Sequence, residues 1–146
     1  MKRLLILALA AATLLAGCSN AAPSTSKSTT AAGAAAGGPV SVSLVEWKID
    51  LSARAVPAGS TVFNVRNDGK VPHDLWILKT DLQPDRLPTA SGIVDTSTLT
   101  VVAKSEQLTP GDGKKLTADL PKGRYVLLCN VIGHYNSGQF AAFTVE

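Results

Sequence analysis

The chain predicts an all-β domain, a Greek-key β-sandwich or barrel of seven to eight strands. Three observations carry that expectation. Short runs of aliphatic and β-branched residues recur at regular spacing. Clusters of Gly, Pro, Asn and Asp separate them. Within several runs apolar and polar side chains alternate with the period of a strand rather than that of a helix.

The elements follow in order. Val40, Val42 and Leu44 alternate with Ser41 and Ser43, the pattern of a half-buried strand. Pro57-Ala58-Gly59 turns the chain into a strand from Thr61 to Arg66, and Asn67-Asp68-Gly69 ends it. Leu75-Trp76-Ile77-Leu78 reads as a short buried strand, and Leu99 to Ala103 as another. The turn Thr109-Pro110-Gly111-Asp112-Gly113 precedes a strand from Lys114 to Leu120. Pro121-Lys122-Gly123 then leads into Arg124 to Cys129, and Phe140 to Val145 alternates again. Thr80 to Ser97 holds Pro84, Pro88 and Gly92, shows little periodicity, and reads as an excursion with one helical turn near Pro84-Asp85-Arg86-Leu87. Trp47 and Trp76 read as core or pocket-wall residues.

The N-terminus has a different logic. Lys2 and Arg3 precede an apolar run from Leu4 to Leu15, the pattern of an export signal. The run is too short for a permanent span. It ends in Leu15-Ala16-Gly17-Cys18, which resembles the bacterial lipoprotein box. That resemblance implies cleavage before Cys18 and lipidation of its thiol and amino group; the alternative is an ordinary secretory signal with an incidental Cys. Residues 19–39 are nearly all small or polar and cannot bury enough apolar surface to order themselves. The expected organisation is a signal peptide at 1–17, a lipid-anchored flexible tether at 18–39, and one domain at 40–146.

The 146-residue chain carries a formal charge of +3, but this excess sits outside the domain. Without Lys2, Arg3 and Lys27 there remain 11 basic against 11 acidic side chains. A neutral domain gives no basis for nucleic-acid or acidic-substrate binding. With Cys18 lipidated, Cys129 is the only free thiol, and no intramolecular disulfide can form.

Cys129, His134 and Gln139 stand in one short run, and the other histidine, His73, lies in Gly-Lys-Val-Pro-His-Asp. Both imidazoles and the one free thiol therefore fit a single metal site. Two His and one Cys with a weak axial group suit copper in both oxidation states. Gln139 is the candidate fourth ligand through its side-chain oxygen, the alternative being a surface residue and an axial position that is empty or holds water. The same Cys-His-His set with water would also serve zinc.

Asn67-x-Gly69-x-x-x-His73 and Leu120-Pro121-x-Gly123-x-Tyr125-x-x-x-Cys129-x-x-x-x-His134 resemble the two ligand motifs of the cupredoxin family, across nearly all of residues 40–146. The closing Gly138-Gln139 before an alternating strand is similar to that family's Gly-Met ending. The spacing Cys129-x4-His134-x4-Gln139 is similar to that of stellacyanin, whose axial ligand is Gln, and to that of auracyanin and rusticyanin, which use Met. The resemblance implies a mononuclear type 1 blue-copper site, one Cu(I)/Cu(II) ion per chain, bound by His73, Cys129, His134 and Gln139. It also implies that Asn67, Asp74 and Asn130 hold the ligand loops, the Asp74 amide bonding the Cys sulfur. Two departures stand out: Asp74 and Ile132 occupy positions where many members carry Asn and Pro.

The expected function is that of an extracytoplasmic, membrane-tethered electron carrier, a monomer serving a membrane-associated redox partner protein. The alternative is copper binding, buffering or delivery outside the cytoplasm. Two histidines cannot build a second His-rich copper centre, so multicopper oxidase and copper nitrite reductase chemistry within one chain is excluded, and no enzymatic activity is expected.

Overall fold

Leu44 of β1 (Val40–Val45) faces Asn67 of β4 (Gly59–Asn67) in a parallel ladder, which brings the ends of both strands to the same end of the molecule. This pairing decides where the site can form. The computed structural model describes residues 38–146; the signal at 1–17, Cys18 and the tether up to residue 37 lie outside the described residues.

One sheet has the order β2-β1-β4-β9, with β2 at Lys48–Leu51 and β9 at Gly113–Leu120. The other has the order β3-β11-β10-β5-β8. Its strands are β3 (Ala55–Val56), β5 (Trp76–Lys79), β8 (Thr100–Lys104), β10 (Gly123–Leu128) and β11 (Phe140–Val145). A separate two-stranded ribbon pairs β6 (Thr89–Ala90) with β7 (Ile93–Val94). The chain passes between the main sheets at β2 to β3, β3 to β4, β4 to β5, β8 to β9 and β9 to β10, as expected of a Greek-key sandwich. Eight strands have four or more residues, in line with the sequence expectation, and three have only two.

Strand alternation builds the core. Val40, Val42 and Leu44 point inward, as do Phe63 and Val65, Tyr125 and Leu127, and Ala141, Phe143 and Val145. Phe63 and Phe143 meet across the sandwich with ring centroids 5.7 Å apart. Burying each large aliphatic or aromatic side chain contributes about 1.5–3 kcal/mol. Tyr125 carries its hydroxyl to the backbone oxygen of Pro121, tying the corner before β10 to the strand itself.

β10 is buried on both faces. Val126 and Leu128 point away from the main core into a second cluster with Leu78, Leu87, Val94 and Tyr135. The excursion between β5 and β8 supplies Leu87 and Val94 to this cluster. Its helical turn is not observed: Pro84 and Asp85 form a single turn closed by Arg86 N–H on Gln83 O, and the ribbon β6–β7 follows. Pro84 and Pro88 lack amide hydrogens and leave little room for helix propagation. The ribbon turns through Ser91 and Gly92, both at positive φ, which suits the right-handed twist of a tight hairpin.

Candidate metal centre

The end of the sandwich where β1, β4 and β10 finish gathers every candidate ligand. β10 runs directly into Cys129, and Cys129 N–H on Gln139 O closes the loop that returns as β11. Within this loop the chain makes one short 3-10 turn, Tyr135–Ser137, ending at Gly138 in the left-handed region. His73 lies on the connection from β4 to β5 and forms an isolated bridge with Leu108: His73 N–H on Leu108 O at 3.1 Å, and Leu108 N–H on His73 O at 2.7 Å.

Three donor atoms converge. His73 Nδ1 lies 3.2 Å from His134 Nδ1, and Cys129 Sγ lies 3.4 Å from His134 Nδ1 and 3.8 Å from His73 Nδ1. A triangle with these sides has a circumscribed radius of about 2.0 Å, the length of a bond from a first-row metal to imidazole and slightly less than one to thiolate. The three residues form a group able to hold one metal ion. His73 and Cys129 are fully buried and His134 is 8% exposed, so the donors are screened from bulk water.

Gln139 is fully buried. Its Nε2 donates to Val45 O at 2.7 Å, which fixes the amide orientation. Its Oε1 has no hydrogen-bond partner among the described residues. A buried amide oxygen left unpaired is costly, and a metal at the neighbouring donors would satisfy it. The soft thiolate, two borderline imidazoles and one hard amide oxygen are a donor set suited to copper.

Burial pushes the Cys129 thiol up to about 12, against a smaller opposing effect from the Asp74 amide. Burial also lowers His134 below its ordinary value; the nearby His73 ring adds to this, and the Gln139 amide beside the ring partly offsets it. The His134 imidazole is thereby favoured in the neutral, ligating form. A bound metal would displace the thiol proton.

Asn67, Asp74 and Asn130 make buried and part-buried hydrogen bonds around the three donors. Asn67 is fully buried and donates to Val71 O and Leu108 O, both at 2.8 Å, while its Oδ1 accepts from Gly69 N–H at 2.9 Å. Asp74 N–H points at Cys129 Sγ at 3.4 Å. The Asp74 carboxylate accepts from Asn130 N–H at 2.7 Å and from the Trp76 indole at 3.1 Å, which links the two ligand loops. Asn130 also grips the excursion, its Oδ1 accepting from Val94 N–H at 2.7 Å.

Several neighbours were not foreseen. Gly133 N–H bonds Gly92 O at 2.8 Å, and Tyr135 OH both accepts from Leu87 N–H and donates to Pro84 O at 2.9 Å. The Trp47 ring packs edge-on against His134, with centroids 5.0 Å apart, and is itself 46% exposed. Glu46 Oε1 lies 3.5 Å from His73 Nε2. No local sequence pattern ties residues 45–47 to ligands 26 or more positions away; only strand pairing does.

Solved structures of similar shape carry the fold assignment. The chain is similar to a reduced auracyanin from Roseiflexus castenholzii, at 21% identity and TM-score 0.60, covering 77% of this chain and 99% of that one. It is similar to auracyanin A, a "blue" copper protein from Chloroflexus aurantiacus, at 21% identity and TM-score 0.54, covering 75% and 100%. It is also similar to a rusticyanin from Thiobacillus ferrooxidans, at 17% identity and TM-score 0.56, covering 73% of this chain and 75% of that one. No curated protein sequence matches the chain. The sulfocyanin (SoxE) domain family matches residues 52–146, a stretch that includes His73, Cys129, His134 and Gln139. A cupredoxin's cofactor is a single copper ion, and His73, Cys129 and His134 form the group that could hold it here. On its fold, its donor group and this match, the chain belongs to the sulfocyanin (SoxE) domain family of the cupredoxins.

Proposed function

We propose that the protein is a type 1 blue-copper electron carrier in which His73 Nδ1, Cys129 Sγ, His134 Nδ1 and Gln139 Oε1 would hold the copper. The observation that carries this reading is the convergence of three buried donors beside one buried amide oxygen without a partner. Bound copper supplies a one-electron Cu(I)/Cu(II) couple. The residues do the rest by staying still. Cys129 and Gln139 are tied to each other through the backbone, His73 to Leu108, and the Gln139 amide to Val45. Donors held this way need little rearrangement when the charge changes, which keeps electron transfer fast. The Asp74 N–H on Cys129 Sγ stabilises the thiolate, while the hard Gln139 oxygen favours Cu(II) and lowers the reduction potential.

His134 is the ligand nearest solvent, and Trp47, Val71 and Ile132 are 46%, 37% and 73% exposed on the turn and loops that carry or touch the ligands. These apolar residues offer a docking rim for a redox partner protein, with His134 as the electron exit. The carrier works outside the cytoplasm, held to the cell-envelope membrane by lipid on Cys18 and by the flexible tether at 18–39, and leaves the domain at 40–146 free to reach its partner as a monomer.

Loading the protein with Cu(II) and recording its visible absorption and EPR spectra tests the centre. The expected result is an intense thiolate-to-copper band with small hyperfine splitting; a colourless product rules out the blue site. Gln139→Met should raise the reduction potential, and an unchanged value removes Gln139 from the ligand set. Rapid loss of Cu(I) to a chelator, in place of fast reversible voltammetry, would mark a delivery protein rather than a carrier.

A further inference from the structure

Three consecutive residues where β1 turns toward β2 reach three of the four donors. Val45 O holds the Gln139 amide, the Trp47 ring packs on His134, and Glu46 meets His73. The middle contact differs in kind, because it brings a charged group to a buried ligand. His73 is fully buried, and its Nε2, the ring nitrogen turned away from the other donors, has no hydrogen-bond partner among the described residues. Glu46 Oε1 lies 3.5 Å away, within ion-pair range but longer than a well-formed hydrogen bond.

The carboxylate is held in place by two backbone donors. Its Oε1 accepts from Lys70 N–H at 2.5 Å and Val71 N–H at 3.0 Å. The parallel register of Leu44 with Asn67 sets the turn beside this loop. Gly69 supplies the room: a Cβ there would lie 2.6 Å from Glu46 Oε1 and 2.8 Å from His73 Nε2. Any side chain at Gly69 would wedge the pair apart.

We propose that Glu46 is a positioning residue for the metal centre: its carboxylate takes the Nε2–H of His73, fixes the tautomer that leaves Nδ1 free, and sets a negative charge behind that ligand. A metal-ligating His needs its second nitrogen held, and a carboxylate there raises the ring's basicity. A fixed anion stabilises the higher charge of Cu(II) more than that of Cu(I), so Glu46 also lowers the potential. This inference rests on the copper reading for its second half; the tautomer stands without it.

Two variants of the full chain decide it. In the metal-free wild type, long-range proton–nitrogen NMR should show His73 in the Nε2–H tautomer, and Glu46→Ala should give a mixture. Glu46→Gln keeps an acceptor for Lys70 and Val71 but removes the charge. It should weaken Cu(II) binding about tenfold or more. Cu(I) affinity should fall less, and each tenfold difference between the two raises the potential by about 59 mV. A pure Nε2–H tautomer in Glu46→Ala, or an unchanged potential in Glu46→Gln, overturns the proposal. If the wild type takes up no copper, the blue-copper reading fails, and the NMR comparison still decides the role of Glu46.

Discussion

The loop that presents His73 is held by hydrogen bonds, whereas the loop from Cys129 to Gln139 adds packing on a second apolar cluster to its polar ties. On the first side Asn67 alone gathers Gly69, Val71 and Leu108, and Glu46 binds the amides of Lys70 and Val71. On the second side Tyr135 sits among Leu78, Leu87, Val94, Val126 and Leu128, with polar ties from Gly133 to Gly92, Asn130 to Val94 and Asp74, Tyr135 to Leu87 and Pro84, and Gln139 to Val45. The contrast follows from what each loop is made of. Residues 67–73 include a Pro and two polar turn residues but few apolar side chains, so only polar bonds can order them. The second loop leaves a strand buried on both faces and can use that extra apolar surface. A polar network fixes geometry and fails abruptly when one member is lost; an apolar cluster gives way by degrees.

The largest test is Asn67→Ala. It strands Val71 O and Gly69 N–H, leaves Leu108 O with only the His73 N–H, and should cost about 3 kcal/mol in chemical denaturation. Loss of ring order should show in NMR at His73 and not at Tyr135. Comparable broadening in both loops would mean that they are one unit. Tyr135→Phe keeps the apolar ring and removes only the hydroxyl that joins Leu87 to Pro84. A cost of about 1–2 kcal/mol is expected, with faster hydrogen exchange at Leu87. A cost matching that of Asn67→Ala would show that the second loop too depends on polar bonds.

The smallest effect is in pH, and it bears on the Cys129 side alone. Native metal-free protein holds the thiol proton to about 12, whereas the unfolded chain loses it near the ordinary 9.0. Between these values the native state binds more protons, so stability is fully present below pH 9 and falls as pH rises above it. Denaturation at about pH 8 and about pH 10 should show this decline in metal-free wild type and a shallower one in Cys129→Ser. Equal declines would place the pH response elsewhere.

Much of this arrangement was legible in the chain. The alternation at Val40–Leu44 and Phe140–Val145 marks strands because one face is buried and the other wet. β2 was missed since Lys48-Ile49-Asp50-Leu51 is too short to show a period. The ribbon β6–β7 was missed because two-residue strands have no pattern at all, and its prolines suggested a helical turn that the chain does not make. Among the site residues, Cys129, His134 and Gln139 are close in sequence, so spacing alone links them. Asn67 and Asp74 were reachable because they flank His73 within the same motif.

The chain by itself determined which groups could bind a metal, since it offers the domain only two imidazoles and one thiol, and strand periodicity determined that they would sit on a β-sandwich. Only the tertiary structure decided what surrounds them. Val45, Glu46 and Trp47 reach Gln139, His73 and His134 because β1 and β4 run parallel and end together, and a parallel register has no signature in either strand's own residues. Ligand identity is local chemistry, whereas ligand environment is set by contacts between segments far apart in the chain.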